Sequence, residues 1–153
     1  MSLMSDEFNE ILQDVSKTIE GDIIWQNHPQ HELLLKFKAD IASELRNYQL
    51  SMRGTYNPLI GGLSYHIICP PYGRIYGLDL GKDHKNHDGQ HIGEKHKHRW
   101  SEIYRDKQAY EPQDITAIAS EPVLVWQQFC KEAVIRHNGV MQQPPMLQLE
   151  LFL

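Results

Sequence analysis

Leu63-Ser-Tyr-His-Ile-Ile-Cys69 and Arg74-Ile-Tyr-Gly-Leu-Asp-Leu80 flank Pro70-Pro71-Tyr72-Gly73, and this stretch decides the fold. Both flanks place apolar residues at every second position, the pattern of a half-buried strand. The prolines and glycine between them supply turn chemistry, so the stretch reads as a β-hairpin. Pairing Cys69 with Arg74 sets Ile67 opposite Tyr76, Tyr65 opposite Leu78 and Leu63 opposite Leu80. That register gathers one continuous apolar face, and a slip of one residue would scatter it. The opposite face carries Ser64, His66, Ile68, Ile75, Gly77 and Asp79, with His66 and Asp79 as diagonal neighbours in side-chain reach.

Upstream of the hairpin, Ile23 to Asn27 and Leu33 to Ala39 are short β runs separated by His28-Pro29-Gln30-His31. Over 46–53, Tyr48, Leu50 and Met52 alternate with polar residues, while Asn57-Pro58 and Gly61-Gly62 mark turns. At the start, Ser5 is an N-cap candidate, with Asp6 and Glu7 in the first turn where the helix dipole favours anions. Phe8, Ile11, Leu12, Val15 and Ile19 then share one helical face, and Gly21 can stop it. Downstream, 81–95 is a polar stretch without periodicity and reads as a loop. Ser120 caps a second helix with Pro122 in its first turn. Val123, Trp126, Phe129, Cys130, Ala133 and Val134 form its apolar face, and Asn138-Gly139 ends it.

The predicted fold is therefore α+β, an antiparallel meander of five or six strands with the N-terminal and C-terminal helices packed on one face. Residues 1–139 form a single domain, and 140–153 form a proline-containing tail. Met1-Ser2-Leu3 precede a second methionine, Met4, and read as a cloning remnant ahead of the native start.

At 153 residues and 41% hydrophobic, the chain is long enough to bury a core as one domain. No apolar run approaches the roughly 20 residues of a membrane span. No basic start leads into an apolar stretch, and Cys69 and Cys130 lie far apart, so the chain reads as cytoplasmic. The net charge of -5 is unevenly spread: residues 1–35 hold seven acids against one lysine, while 36–81 and 82–107 each hold two more basic than acidic side chains. The centre is mildly basic, but a pI of 6.0 falls well short of the value above about 9 of a dedicated nucleic-acid binder. Local attraction of a phosphate is compatible with this distribution.

Of 9 histidines, five (His84, His87, His91, His96 and His98) fall within fifteen residues. His96-Lys97-His98 has the sharpest spacing. On a strand, residues i and i+2 share a face, so both imidazoles project together while Lys97 and Arg99 alternate outward. With His84 and His87 they form a candidate ligand set for a divalent metal such as zinc. The same pair permits metal-free acid–base work on a phosphodiester of RNA or DNA, with Arg99 and Arg105 on the phosphoryl charge. His66 and Asp79 complete this catalytic set. The plain alternative is a solvated loop, since no spacing matches an HExxH or paired CxxC signature. His28, His31 and His137 read as turn or capping residues.

Three motifs follow in order: Arg74-Ile-Tyr-Gly-Leu-Asp79, Gly93-x-x-His96-x-His98 and Asp106-Lys107-x-Ala109-Tyr110. Together they resemble a small uncharacterised bacterial family with a strand ending in aspartate, a G-x-H-x-H stretch and a D-K-x-A stretch. This chain has one residue more between the glycine and the first histidine. The resemblance spans roughly residues 70–115; it implies that the three stretches work as a unit, and it assigns no activity. At the other end, Gln148-Leu149-Glu150-Leu151-Phe152 resembles the bacterial sliding-clamp-binding pentapeptide, behind a Pro144-Pro145 spacer. That resemblance implies a non-catalytic alternative, docking on the replication clamp through Gln148, Leu149, Leu151 and Phe152. Against it, Leu147, Leu149, Leu151 and Leu153 alternate as a last strand would.

Overall fold

The computed structural model describes residues 3–145. The hairpin lies inside a seven-stranded sheet, mixed with two helices in a chain that is mostly strand. The chain opens with α1 (Ser5–Gln13), β1 (Thr18–Glu20), β2 (Gln26–His28), β3 (His31–Ile41) and β4 (Leu50–Asn57). The hairpin strands β5 (Gly62–Cys69) and β6 (Gly73–Leu80) follow, then β7 (His84–Lys85), β8 (His91–Ile92), β9 (Lys95–Arg99) and β10 (Ala109–Tyr110). Last come α2 (Pro122–Glu132) and β11 (Arg136–Asn138). The large sheet runs β10-β9-β6-β5-β4-β3-β2, and each neighbouring pair is antiparallel.

Leu63 faces Leu80, Tyr65 faces Leu78 and Ile67 faces Tyr76, the register that the apolar alternation demands. Beyond Ile67 a bulge intervenes, so Ile68 faces Arg74 and the expected Cys69–Arg74 pair does not form. The cause is a tighter turn. Tyr72 N–H donates to the Cys69 carbonyl at 2.8 Å, and Gly73 at φ 84° takes the left-handed conformation that joins it to the ladder.

The sheet has seven strands rather than five or six, because Ala109–Tyr110 adds an edge beside β9 with too few residues to show a period. The strand expected over 46–53 runs instead from Leu50 to Asn57. Gly54 in its middle is a packing slot and not a break: a Cβ there would lie 2.1 Å from Cε1 of Phe37. The stretch 81–95 is not all loop, since β7 and β8 pair as a small hairpin.

The apolar face meets both helices through rings. Tyr65, fully buried, packs on Trp126 and Phe129 of α2, with centroids 5.1 and 5.9 Å away, and its hydroxyl donates to the Pro122 carbonyl. Tyr76 meets Phe8 of α1 and Phe129. Such pairs add about 0.5–1.5 kcal/mol each beyond the burial of their area. Leu3 is part of this core, and its carbonyl accepts the Trp100 indole N–H at 2.8 Å. Among the described residues no helix is long and apolar enough to cross a membrane.

The first helix stops at Gln13 rather than running on to Ile19. Val15 is exposed, and Ile19 is buried from a strand that pairs in parallel with β11. Lys17 explains the stop: its fully buried ammonium donates to the carbonyls of Ile11, Leu12 and Asp14 at 2.6, 2.7 and 3.0 Å. Cations satisfy orphan carbonyls at a helix C-terminus, and Asp14 turns the chain by accepting from Ser16. Likewise Val134, expected on the face of α2, lies beyond its end at φ 58°. Replacing Lys17 by Met keeps the side-chain length and leaves three carbonyls without their donor. Urea unfolding should show a loss of about 2–4 kcal/mol; a loss below about 0.5 kcal/mol would show that the ammonium does not hold this helix end.

Candidate metal centre

Strand alternation builds the site from three adjacent strands. Across β6 and β9, Asp79 faces His96 and Gly77 faces His98; across β5 and β6, Ser64 faces Asp79 and His66 faces Gly77. All these side chains leave the sheet on the side away from Tyr65 and Leu78. Asp79, Ser64, His96 and His98 are buried there.

The two oxygens of Asp79 have different surroundings. Oδ1 accepts from Ser64 Oγ at 2.5 Å and from His66 Nε2 at 2.9 Å. Oδ2 lies 3.3 Å from His96 Nε2, 3.2 Å from His98 Nε2 and 3.7 Å from an Arg74 guanidinium nitrogen. Burial pushes the Asp79 carboxyl pKa up, but hydrogen bonds from His66 and, in their protonated form, from His96 and His98 outweigh it and hold the group well below the usual carboxylate range. Burial also lowers the pKa of His98, helped by the Arg74 charge and opposed by Asp79. His98 is thus biased toward the neutral imidazole.

The outer nitrogens of the histidines fix their protons. His96 Nδ1 lies 3.0 Å from the Gly93 carbonyl, and His98 Nδ1 lies 2.9 Å from the Asp106 carbonyl. A carbonyl only accepts, so each Nδ1 carries hydrogen and, in the neutral ring, each Nε2 presents a lone pair. These two Nε2 atoms are 3.1 Å apart. His84 joins them from β7: its Nε2–H donates to the Lys107 carbonyl at 2.7 Å, and its ring centre is 4.7 Å from that of His98. One ring nitrogen from each of His84, His96 and His98 lies within 4.8 Å of the others, so the three could hold a metal ion. Backbone carbonyls that orient each ring through its far nitrogen are the usual support of metal-binding histidines.

Of the expected residues, His66, Asp79, His84, His96 and His98 come together, and three others do not. His87 stacks instead on Tyr104, with centroids 4.5 Å apart. Arg99 leaves the opposite face of β9, where it lies over Phe8 and donates to Asn9. Arg105 lies over the Trp100 ring. Lys97 does not point outward: it is fully buried, paired with Asp114 and Glu132 at 2.7 Å each. Arg74 and Asp106 appear in the sequence only as members of two of the quoted motifs, with no role at the site. Arg74 is clamped by the Asp106 carboxylate, 3.1 and 3.2 Å away, and by its carbonyl. Asn86, which sequence reasoning missed, exchanges two hydrogen bonds with Ala109 and pins the segment that carries His84. The pentapeptide residues Gln148, Leu149, Leu151 and Phe152 lie outside the described residues.

The fold and site define a mixed α/β protein with a histidine cluster suited to a metal ion. The chain belongs to a family of unknown function, DUF6978, whose model matches residues 3–135. No curated protein and no solved structure matches it.

His66 reaches Asp79 by lying across Gly77, where a Cβ would stand 2.5 Å from His66 Cδ2. Gly77→Ala should displace the ring and lower stability by about 1–3 kcal/mol. In a His66→Ala background the same change should be milder, with a coupling of at least about 0.5 kcal/mol in a double-mutant cycle. Strictly additive losses would show that the glycine does not serve the histidine.

Proposed function

We propose that this chain binds one divalent metal ion, zinc by the chemistry of its donors, on His96, His98 and Asp79, with His84 as a fourth ligand. The observation that carries this reading is a triangle of acceptors. His96 Nε2, His98 Nε2 and Asp79 Oδ2 are separated by 3.1, 3.2 and 3.3 Å, with no hydrogen on either nitrogen in the neutral rings. Three acceptors at that spacing repel one another unless a cation lies between them. The edge of a tetrahedron around zinc, with ligands at about 2.0–2.1 Å, is about 3.3 Å. A bound ion would also fasten the segment carrying His84 to the sheet.

Metal analysis of the purified protein tests this directly. About one equivalent of zinc is expected, removable by chelator and lost from His96→Ala/His98→Ala. A ligand at 100 times its dissociation constant adds about 2.7 kcal/mol. For a domain of this size that raises the melting temperature by about 5–10 °C over the stripped protein. No bound metal and identical melting with and without chelator would leave protons on the histidines as the compensating charge, and the proposal would be wrong.

A second reading, cleavage of a phosphodiester in RNA or DNA, is favoured by Arg74, a cation beside Asp79 in the role expected of Arg99 and Arg105. Bound zinc would supply a Lewis acid and a water of lowered pKa. In this reading Arg74 faces phosphoryl charge, Asp106 orients Arg74, and His66 holds Asp79 in place. Cleavage of either polymer by the zinc-loaded protein, abolished in Asp79→Asn, supports it; no cleavage of either ends it. Clamp docking through Gln148, Leu149, Leu151 and Phe152 rests on the pentapeptide itself. Titrating a labelled sliding clamp with the full chain and with residues 1–145 should give binding only to the full chain, and equal affinity would remove the idea.

A further inference from the structure

On the same face as Asp79, the part of the sheet formed by β2, β3 and β4 carries a different chemistry. Register places Gln26 beside Lys36, Lys36 beside Thr55 and Lys38 beside Arg53. These residues and His28 line a groove of about 380 Å³. Among the described residues no carboxylate lines it; Asp40, the next residue on this face of β3, stands outside. Lys38 and Arg53 are exposed and Lys36 is half-buried. Among the described residues none of the three forms an ion pair.

Three cations in one groove, none of them ion-paired among the described residues, repel each other, and a protein of net charge -5 has acids to neutralise cations elsewhere. Their concentration here, with a hydroxyl and an amide beside them, matches a ligand that offers only acceptors and negative charge. The row does not stop at the groove. Lys38 faces Arg53, Arg53 faces His66, and His66 donates to Asp79. At about 4.8 Å per strand, the step from Lys38 to His66 covers about 10 Å.

We infer that this groove is a phosphate-binding site, formed by Lys36, Lys38, Arg53 and Thr55, that takes the backbone of a single-stranded nucleic acid and leads it toward His66. The inference does not depend on a metal at His96 and His98. A free nucleotide carries the same phosphate chemistry, so the experiment separates the two sources.

Fluorescence anisotropy with a labelled short single-stranded RNA and DNA, at low salt, is the first arm; calorimetry with AMP and with inorganic phosphate is the second. The wild-type protein should bind the oligonucleotide, and Lys38→Glu/Arg53→Glu should weaken it at least about tenfold. The neutral Lys38→Ala/Arg53→Ala should reduce the slope of log K against log salt by about 1.4, since each phosphate contact to a single strand contributes about 0.7. Metal content and melting of both variants serve as the control for folding. AMP or phosphate binding that is lost in the same variants supports the phosphate site and assigns it to a small ligand. Absence of binding by every probe, or binding that the substitutions leave intact, overturns the inference.

Discussion

A carboxylate in the interior must be compensated, and the architecture around Asp79 follows from that need. A buried unpaired charge costs several kcal/mol. Asp79 draws contacts from three strands: Ser64 and His66 donate from β5, Arg74 approaches on β6 itself, and the Nε2 atoms of His96 and His98 close in from β9, where compensation needs a proton or a cation. Each of these contacts holds only in one register, so the polar face specifies strand pairing as strictly as the apolar face does. The compensation also extends into the segment after β6. His98 and Arg74 both donate to the Asp106 carbonyl, and His84 donates to the Lys107 carbonyl. The segment from His84 to Tyr110 is therefore tied to the sheet through the same cluster that serves Asp79.

The hairpin was legible because both of its faces carry information. Apolar residues at 63, 65, 67, 76, 78 and 80 demand one register, and the diagonal pair His66 and Asp79 agrees with it. Period two also put His96 and His98 on one face. The same parity sets Arg99 on the opposite face, which removes it from the cations that can serve Asp79. Arg74 and Asp106 open two of the motifs that the resemblance joins, but nothing periodic links positions 32 residues apart, so their contact has no signal of its own. Val15 and Ile19 fit the helical period of α1 by coincidence, since the helix ends at Gln13. What ends the helix is a long-stemmed lysine folding back on its last carbonyls, an event that pattern counting does not register. Gly54 offers no alternation to extend the strand over 50–57, and what it does there, accommodating the Phe37 ring, is a contact between strands that no local pattern shows.

Strand β9 shows how alternation and burial act together. Its five residues are Lys95-His96-Lys97-His98-Arg99, all capable of positive charge, and the middle three are buried. A solvated strand would tolerate them without further provision; a buried one must neutralise each face separately. On one face the anion is Asp79, set between two imidazoles. On the other face Lys97 receives two carboxylates, Asp114 and Glu132, and lies over the rings of Tyr76 and Phe129. Glu132 in turn accepts from the Tyr76 hydroxyl, joining this ion pair to the aromatic core. The two solutions differ in kind. Lys97 carries a fixed charge opposite fixed charges, a complete pairing within the protein. His96 and His98 donate from their outer nitrogens to backbone carbonyls, and in the neutral rings their Nε2 lone pairs face the Asp79 carboxylate. That asymmetry across a single strand is the physical basis of the proposed metal site: the lysine face is paired within the protein, and the histidine face is the one that could hold an ion.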